Sequence, residues 1–191
     1  DCRRADIWRT AIFPDYKATR QPASNFNPNF FDILYNHIMA LGYDIMKGEH
    51  LEADDVAYLY ASQYQSNPNP SNKSTNFIFI TNDNDYLQLA SSKWQIRNLK
   101  GDDLVKLRSL GCPSNDLFCK IVMGDKSDNI PPICKPMSSK IINDLLLLND
   151  EERINWIKNK SQTAYDNYIK NKTLVDFRCI PPEHHELQKQ T

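Results

Sequence analysis

The N-terminal part of the chain places apolar residues at helical spacing and then in an extended run. Over residues 29–41, apolar side chains recur three or four positions apart, which predicts a helix. Gly42 supplies a plausible end for that helix, because glycine readily adopts the left-handed conformation that follows a last helical turn. A short strand is expected over residues 43–46.

A second helix and a buried strand follow in order. Residues 51–64 have a helical pattern in which Val56, Leu59 and Tyr60 form the inward face. Residues 77–80 are the continuous apolar run FIFI, which is typical of a strand buried on both faces.

The next elements complete a recognisable alternation. Residues 86–90 are expected to form a helical turn, and residues 94–99 another strand. Because helices and strands alternate, we predict an α/β fold with a mostly parallel central sheet flanked by helices. In such folds the functional residues lie at the carboxyl ends of the strands.

After about residue 110 the pattern becomes helical. Ser114 is a candidate cap for a helix that runs through Met123, and further helices are expected over residues 138–148 and 151–168. We therefore divide the chain into an α/β portion, residues 1–109, and a helical portion, residues 110–191.

Composition limits the class of protein. The chain has 191 residues with 40% hydrophobic residues, enough for a real core, and no apolar run approaches the ~20 residues that a membrane span requires. The five cysteines are odd in number and form no CxxC pair, so we expect reduced thiols in the cytoplasm. The chain begins at Asp1 without a methionine, and we expect it to be part of a longer protein.

Acidic residues fall in three groups, each at a predicted functional end. The first group opens the second helix, the second follows the FIFI strand, and the third follows a helix that ends at Gly124. The three groups are Glu52, Asp54 and Asp55; Asp83 and Asp85; and Asp125 and Asp128.

Each acidic group also has an ordinary structural explanation. Carboxylates complement the dipole of a helix N-terminus, and Asp commonly forms turns and caps. If the three groups converge, however, their mutual repulsion requires cations, and sites with only oxygen ligands favour Mg²⁺ or Mn²⁺ over zinc. The formal net charge of −1 neither excludes nor supports binding to DNA.

Four ordered segments resemble the 5′ nuclease superfamily, which is PIN-like and includes the flap endonucleases. They are WR followed by PDYKATR, then EADD, TNDND and GDKSDN. The closing segment NKTLVDFRCIP is similar to that of the phage RNase H type, which acts as a 5′ exonuclease and flap nuclease. The resemblance covers nearly the whole chain.

The resemblance implies two metal sites and a set of catalytic residues. Two Mg²⁺ ions, for which Mn²⁺ can substitute, are expected in these sites, and Lys17 and Arg20 are expected at the base of an arch over them, between Arg20 and Asn29. Asp1 would end the family's second core strand, and a first strand with its own aspartate is expected upstream. The expected ligands are Asp1, Glu52, Asp54 and Asp55 for the first ion, and Asp83, Asp85, Asp125 and Asp128 for the second.

The C-terminal portion is expected to bind DNA as a helix-three-turn-helix. The family's segment is usually rich in glycine, whereas IPPICKPMSSKIINDLL has none, so backbone amides are not expected to form the usual phosphate site. Side chains are expected to take over this contact. The candidate DNA-binding residues are Arg9, Lys126, Lys135, Ser138, Ser139 and Lys140.

The implied function is a structure-specific 5′-3′ exonuclease or flap endonuclease that acts in replication or repair. Its substrates would be DNA with a 5′ flap or 5′ end and RNA primers in RNA–DNA hybrids, and replication proteins would be partners. The expected location is the cytoplasm of a bacterium or of a phage- or virus-infected cell. The alternatives are a PIN-type ribonuclease and a non-catalytic structure-specific DNA-binding protein.

Overall fold

The computed structural model describes residues 2–20, 27, 29–67 and 75–190. Within these ranges the chain forms the helices α1 (Trp8–Ile12), α2 (Asn29–Ala40), α3 (Ala53–Ser66), α4 (Leu104–Arg108), α5 (Pro113–Met123), α6 (Ser139–Leu146), α7 (Asp150–Lys160) and α8 (Gln162–Val175). The strands are β1 (Ile45–Gly48), β2 (Phe77–Ile80), β3 (Trp94–Arg97) and β4 (Leu187–Gln190). Short 3₁₀ helices occupy Arg4–Asp6, Asn84–Leu89, Phe177–Cys179 and Pro182–His184.

The strands form two small sheets within the described ranges. β2 and β3 pair in parallel, with Phe77 opposite Trp94 and Ile80 opposite Arg97, while β1 pairs antiparallel with β4. The predicted α/β class is confirmed, and the predicted parallel pairing is present in β2 and β3. Strand β4 was not expected, because the polar residues at the C-terminus give little strand signal.

The prediction that FIFI is buried on both faces is wrong. Phe77 and Phe79 turn inward and contact the ring of Trp94, with centroids 6.2 and 5.6 Å from it. Ile78 and Ile80 point the other way, and are 56% and 68% exposed. Side chains alternate across a strand, so one apolar set packs in the core and the other faces outward.

The helices predicted for the N-terminal portion are confirmed with small shifts in their ends. Helix α2 stops before Gly42, which has a φ of +84°. Leu59 is buried and Val56 packs beside it in the core, but Tyr60 is 40% exposed, so its predicted inward position is wrong. Tyr60 instead contacts the rings of Tyr64 and Phe77 at the edge of that core.

The helical C-terminal portion differs from expectation at two ends. Helix α5 begins with Pro113 after Cys112, so Ser114 lies inside the helix and does not cap it. The single helix expected over residues 151–168 is two helices, because Ser161 is extended and its hydroxyl accepts a hydrogen bond from the Ala164 N–H, starting α8. The helix expected over residues 138–148 is present as α6, and the Ser138 side chain caps its first turn.

Three apolar clusters hold these elements together. The first lies under β2 and β3 and includes Trp8 and Leu59, together with Phe177 and Ile180 from the C-terminal part. The second joins α5, α6, α7 and α8, and the third packs residues on both sides of α1 against α5 and α8. The clusters bring α1, the start of α3 and the end of α5 to one place. The division of the chain near residue 110 stays a prediction.

The length and polarity of the helices show whether any of them could cross a membrane. Among the described residues, no helix combines the length and the apolar character that a membrane crossing demands.

Candidate metal centre

Two groups of carboxylates lie where these elements meet. Glu52, Asp54 and Asp55 come from the start of α3, and Asp85, Asp125 and Asp128 come from the segments that follow β2 and α5. Within each group, one oxygen from every side chain lies within 4.8 Å of the others. The resemblance to the 5′ nuclease superfamily implied that these motifs meet, and the structure brings six of their carboxylates into two groups.

The loop after α5 is shaped by glycine and by a small bridge. Gly124 has φ +71° and ψ −171°, a conformation that is almost restricted to glycine, and it lets the chain reverse at once after the helix. Asp125 and Ile130 then exchange backbone hydrogen bonds of 2.8 Å in both directions. This bridge closes a tight loop, and both Asp125 and Asp128 lie within it.

Asn171 of α8 supports the same loop from below. Its side-chain amide is fully buried and donates hydrogen bonds to the carbonyls of Ile121, at 3.0 Å, and Pro131, at 2.8 Å. These carbonyls flank the loop on both sides. No sequence pattern pointed to this residue, since Asn171 lies 50 positions from Ile121 and 40 from Pro131.

Tyr16 and Lys17 connect the two carboxylate groups. The Tyr16 hydroxyl lies 2.8 Å from Glu52 Oε2 and 3.1 Å from Asp128 Oδ2. Lys17 forms an ion pair with Glu52, and its Nζ lies 3.9 Å from Asp128 Oδ1. Burial, together with the nearby carboxylates, raises the pKa of Tyr16, so its hydroxyl keeps its proton and can donate it.

Arg20 lies at the outer edge of the second group. Its Nη2 is 2.6 Å from Asp128 Oδ1, its Nε donates to the Ser127 carbonyl, and about half of its side chain is exposed. Lys17 and Arg20 are therefore both beside Asp128, although their predicted catalytic roles stay predictions. Residues 21–26 and 28, which make up most of the expected arch, lie outside the described residues.

Lys120 was not identified from the sequence. It lies in the last turn of α5 and forms ion pairs with Asp85 and with Asp125, the latter at 2.7 Å. Burial opposes ionisation of Asp125, but the hydrogen bond and charge of Lys120 outweigh it and lower the pKa of Asp125 to about 2. A basic residue on a helix that leads directly into an acidic loop is the signal that sequence reasoning overlooked.

Arg9 is inside the protein, so its predicted contact with DNA is wrong. The residue is 2% exposed, and its guanidinium donates to Asp55, to Glu52 and to the Leu174 carbonyl. Burial alone would lower the pKa of Arg9, but the hydrogen bond to Asp55 and its charge raise it, so Arg9 stays ionised. The positive charge of Arg9 is therefore neutralised by buried carboxylates and does not face the surface.

The carboxylates of the two groups outnumber the cations that contact them. Six acidic side chains are met by Arg9, Lys17, Arg20 and Lys120. No ion pair among the described residues involves Asp54. Burial and the neighbouring Asp55 carboxylate raise the pKa of Asp54 to about 7. The residual negative charge and the oxygen-only donors fit a hard divalent cation.

A small cavity lies between the two groups. It has a volume of about 10 Å³, close to the space that one water molecule needs, and its lining includes Asp54, Asp85 and Asp128. Carboxylates from both groups therefore face a common space.

Other predicted site residues lie apart from this space. Asp83 is exposed, and its side chain accepts a hydrogen bond from the Asp85 N–H at 2.9 Å, which caps the 3₁₀ helix after β2. Asp1 lies outside the described residues. The remaining candidates for DNA binding are exposed at the surface: Lys126, Lys135, Ser138, Ser139 and Lys140.

Comparisons with known proteins agree with this geometry. The family model described as the 5′-3′ exonuclease, N-terminal resolvase-like domain matches residues 1–112. A protein named 5′-3′ exonuclease from Halalkalibacterium halodurans is 30% identical over 138 residues, which are 69% of this chain. The chain spans 44% of the length of that relative.

Solved structures show the same fold. The flap endonuclease D15 of bacteriophage T5, in a pseudo-enzyme-product complex with DNA and metal ions, superposes with a TM-score of 0.66 and 17% identity. A T5 5′-exonuclease with bound zinc superposes with a TM-score of 0.64 and 18% identity. In both comparisons the match covers 90% of this chain and 70% of the other.

Proposed function

Because this chain belongs to the 5′-3′ exonuclease family, we propose that it hydrolyses phosphodiester bonds in DNA with a 5′ end or a 5′ flap. The observation that carries the proposal is the convergence of two carboxylate groups around Lys17 and a common cavity. A group of this kind is costly to assemble unless cations compensate for it, so a role in binding metal ions is the simplest reason for its existence.

The two groups are proposed to hold two Mg²⁺ ions, for which Mn²⁺ substitutes. Glu52 and Asp54 would hold one, and Asp85, Asp125 and Asp128 the other. Divalent ions at such sites neutralise charge on the scissile phosphate and lower the pKa of bound water. T5 structures that contain metal ions support this assignment through the shared fold. Asp1 is proposed as a further ligand and Asp83 as a ligand through water.

Lys17 and Arg20 are proposed to act on the phosphate. The Lys17 side chain is only 13% exposed, and its ammonium lies between Glu52 and Asp128, where a phosphate that approaches the cavity would meet it. A buried positive charge stabilises the extra negative charge of the transition state more than it stabilises the ground state. Arg20 is half exposed beside Asp128, which suits it to orient the phosphate before reaction.

DNA binding is assigned to exposed side chains around the acidic loop and the start of α6. Lys126 lies in the loop itself, while Lys135 and Lys140 flank the exposed hydroxyls of Ser138 and Ser139. Contacts of this type reach the phosphate backbone and carry no sequence information, so we propose recognition of DNA shape over sequence. The T5 complex with DNA supports this proposal.

The proposed substrates include RNA primers in RNA–DNA hybrids, and the proposed setting is replication or repair alongside other replication proteins. We place the activity in the cytoplasm of a bacterium or of a phage- or virus-infected cell. The five unpaired cysteines are consistent with that reducing location.

The test compares Lys17→Ala with Asp125→Asn and Asp128→Asn in single-turnover cleavage of a 5′-flap substrate, across a Mn²⁺ titration. Lys17→Ala should lower the rate by roughly 10²-fold at every Mn²⁺ concentration, while the dissociation constant for the flap in Ca²⁺ stays unchanged. The Asp variants should regain part of their rate at high Mn²⁺, because they weaken occupancy of the ion. Lys106→Ala is the matched control, since Lys106 is 83% exposed and away from the site.

Three results would contradict the proposal. Full cleavage in EDTA would remove the metal ions from the reaction. Cleavage of single-stranded RNA without cleavage of flaps would favour a PIN-type ribonuclease. Tight binding of branched DNA without cleavage in Mg²⁺ or Mn²⁺ would favour a non-catalytic DNA-binding protein.

A further inference from the structure

We propose that Asp55 is not a metal ligand and that it forms, with Arg9, a buried ion pair that positions Glu52 for the metal. The proposal rests on the proposed function, because it assigns the residues of that same site. It divides the EADD motif into two ligands, Glu52 and Asp54, and one supporting residue, Asp55. It also gives Arg9 the role of a positioning residue.

The carboxylate of Asp55 has both of its oxygens occupied by the protein. Arg9 Nη2 lies 2.6 Å from Oδ1, and Arg9 Nη1 lies 2.6 Å from Oδ2. Oδ2 also accepts from Trp8 Nε1 and from the Glu52 N–H, each at 3.1 Å. Asp55 is 0% exposed. A metal ion at Asp55 would have to displace this bidentate ion pair and leave the buried guanidinium of Arg9 without its main partner.

Asp54 differs from Asp55 in each of these respects. It is partly exposed, it lines the small cavity together with Asp85 and Asp128, and it takes part in no ion pair among the described residues. One of its oxygens accepts a hydrogen bond from the Asp55 N–H at 2.9 Å. Adjacent residues on a helix point about 100° apart, so Asp54 can face the cavity while Asp55 faces the core.

The Arg9 guanidinium contacts both Asp55 and Glu52 and so fixes the position of Glu52 relative to Asp55. Its Nη1 donates both to Asp55 and to Glu52 Oε2, the latter at 3.0 Å, and its Nε donates to the Leu174 carbonyl at 2.7 Å. The guanidinium therefore ties α1 to the start of α3 and the end of α8. Tyr16 donates to the same oxygen of Glu52 at 2.8 Å.

The two oxygens of Glu52 consequently have different surroundings. Oε2 is held by Arg9 and Tyr16, whereas Oε1 faces the Lys17 ammonium. Because one oxygen is held by the protein, the direction of the other oxygen is fixed before a metal ion binds. Metal binding then does not have to order the Glu52 side chain, so its entropy cost is smaller. The planar fork of arginine can hold Asp55 and Glu52 at once, which the single ammonium of lysine cannot do with the same geometry.

The first experiment compares Asp54→Asn with Asp55→Asn, which remove the same charge from adjacent positions. Bound Mn²⁺ is counted, and its affinity measured, by electron paramagnetic resonance in the absence of DNA. Asp54→Asn should weaken Mn²⁺ binding at one site at least tenfold more than Asp55→Asn does, because a lost ligand costs more than a lost support. Equal weakening by the two variants would overturn the assignment of Asp55.

The wild-type protein gives a second measurement that does not depend on the folding of a variant. In a crystal structure with Mn²⁺, Asp54 should place an oxygen within about 2.6 Å of an ion, while Asp55 keeps both contacts with Arg9. An Asp55 oxygen at that distance from an ion would overturn the proposal. If the wild-type protein binds no Mn²⁺ at all, the proposed function fails, which is a different result.

Arg9→Lys tests positioning, because it keeps the charge and changes the geometry. Single-turnover cleavage should fall by about 10- to 100-fold, while the affinity for flap DNA in Ca²⁺ stays as in the wild type. Arg153→Lys is the matched control: Arg153 is a buried arginine that holds the Leu145 and Leu146 carbonyls, far along the chain in the helical core.

Melting temperature separates the two roles. Both Lys variants should have a lower melting temperature than the wild type. Only Arg9→Lys should have a lower single-turnover cleavage rate at a temperature where both variants are folded. If Arg9→Lys melts lower and yet cleaves at the rate of Arg153→Lys, then Arg9 serves the fold alone and the positioning role is refuted.

Discussion

The carboxyl of Asp54, which forms no ion pair among the described residues, makes the stability of the metal-free protein depend on pH. Burial and the charge of Asp55 raise its pKa from 3.8 to about 7. In the unfolded chain the group returns to its ordinary value. Between these two pKa values, the folded protein holds a proton at Asp54 that the unfolded chain has released, so raising the pH favours unfolding.

The size of this effect follows from the two pKa values. A pH unit corresponds to about 1.36 kcal/mol, so the shift from 3.8 to about 7 amounts to about 4 kcal/mol. The stabilising contribution is complete below about pH 4, falls as the pH rises, and is lost above about pH 7. A divalent ion reverses the loss, because it binds and stabilises the ionised carboxylate.

Urea unfolding in EDTA at about pH 5 and about pH 8 measures the free energy of unfolding in the two states. The wild type should lose up to about 3 kcal/mol more than Asp54→Asn over this range, since asparagine cannot titrate and can still accept the Asp55 hydrogen bond. Saturating Mg²⁺ should stabilise the wild type at the higher pH more than it stabilises the variant, because the variant keeps only the ligands of the second ion intact. Equal pH dependence in the two proteins would refute a raised pKa at Asp54.

Three further substitutions test the support of the site, each read as the urea-unfolding free energy of the metal-free protein. Asn171→Ala should cost about 2–4 kcal/mol, because the Ile121 and Pro131 carbonyls lose buried donors; an unchanged value would mean that water replaces the amide. Gly124→Ala should cost about 3 kcal/mol or more, since a Cβ there would collide with backbone of the acidic loop; a neutral result would show that the loop can shift. Ser161→Ala should cost about 1 kcal/mol, and no change would indicate that α7 and α8 do not depend on this cap.

Local pattern predicted most of the helices and three of the four described strands, with shifts of about two residues at some ends. Helical spacing in residues 29–41 and 51–64 gave α2 and α3 within about two residues, and Ser138 marked the start of α6. The errors occurred where tertiary packing decides. FIFI looked like a fully buried strand, but burial on the second face needs a neighbour, which the sequence of the strand cannot reveal.

The sequence by itself determined which residues are chemically able to form the site, and in what order. Three acidic motifs at the ends of predicted elements favoured a convergence of Glu52, Asp54 and Asp125 without showing it, and the resemblance to the family assigned these residues to two metal sites. The motifs also gave the family, which the comparison confirmed.

Only the tertiary structure decided which charged side chains form ion pairs within the protein and which do not. Arg9 and Asp55 are 46 residues apart, and no local rule predicts that they form a buried pair. The same holds for Lys120 and Asp85, which are 35 residues apart. Adjacent carboxylates such as Asp54 and Asp55 look equivalent in sequence, yet the fold gives Asp55 a buried arginine as partner and raises the pKa of Asp54. Electrostatic interaction and burial are properties of three-dimensional distance, so they are set when the chain packs and not before.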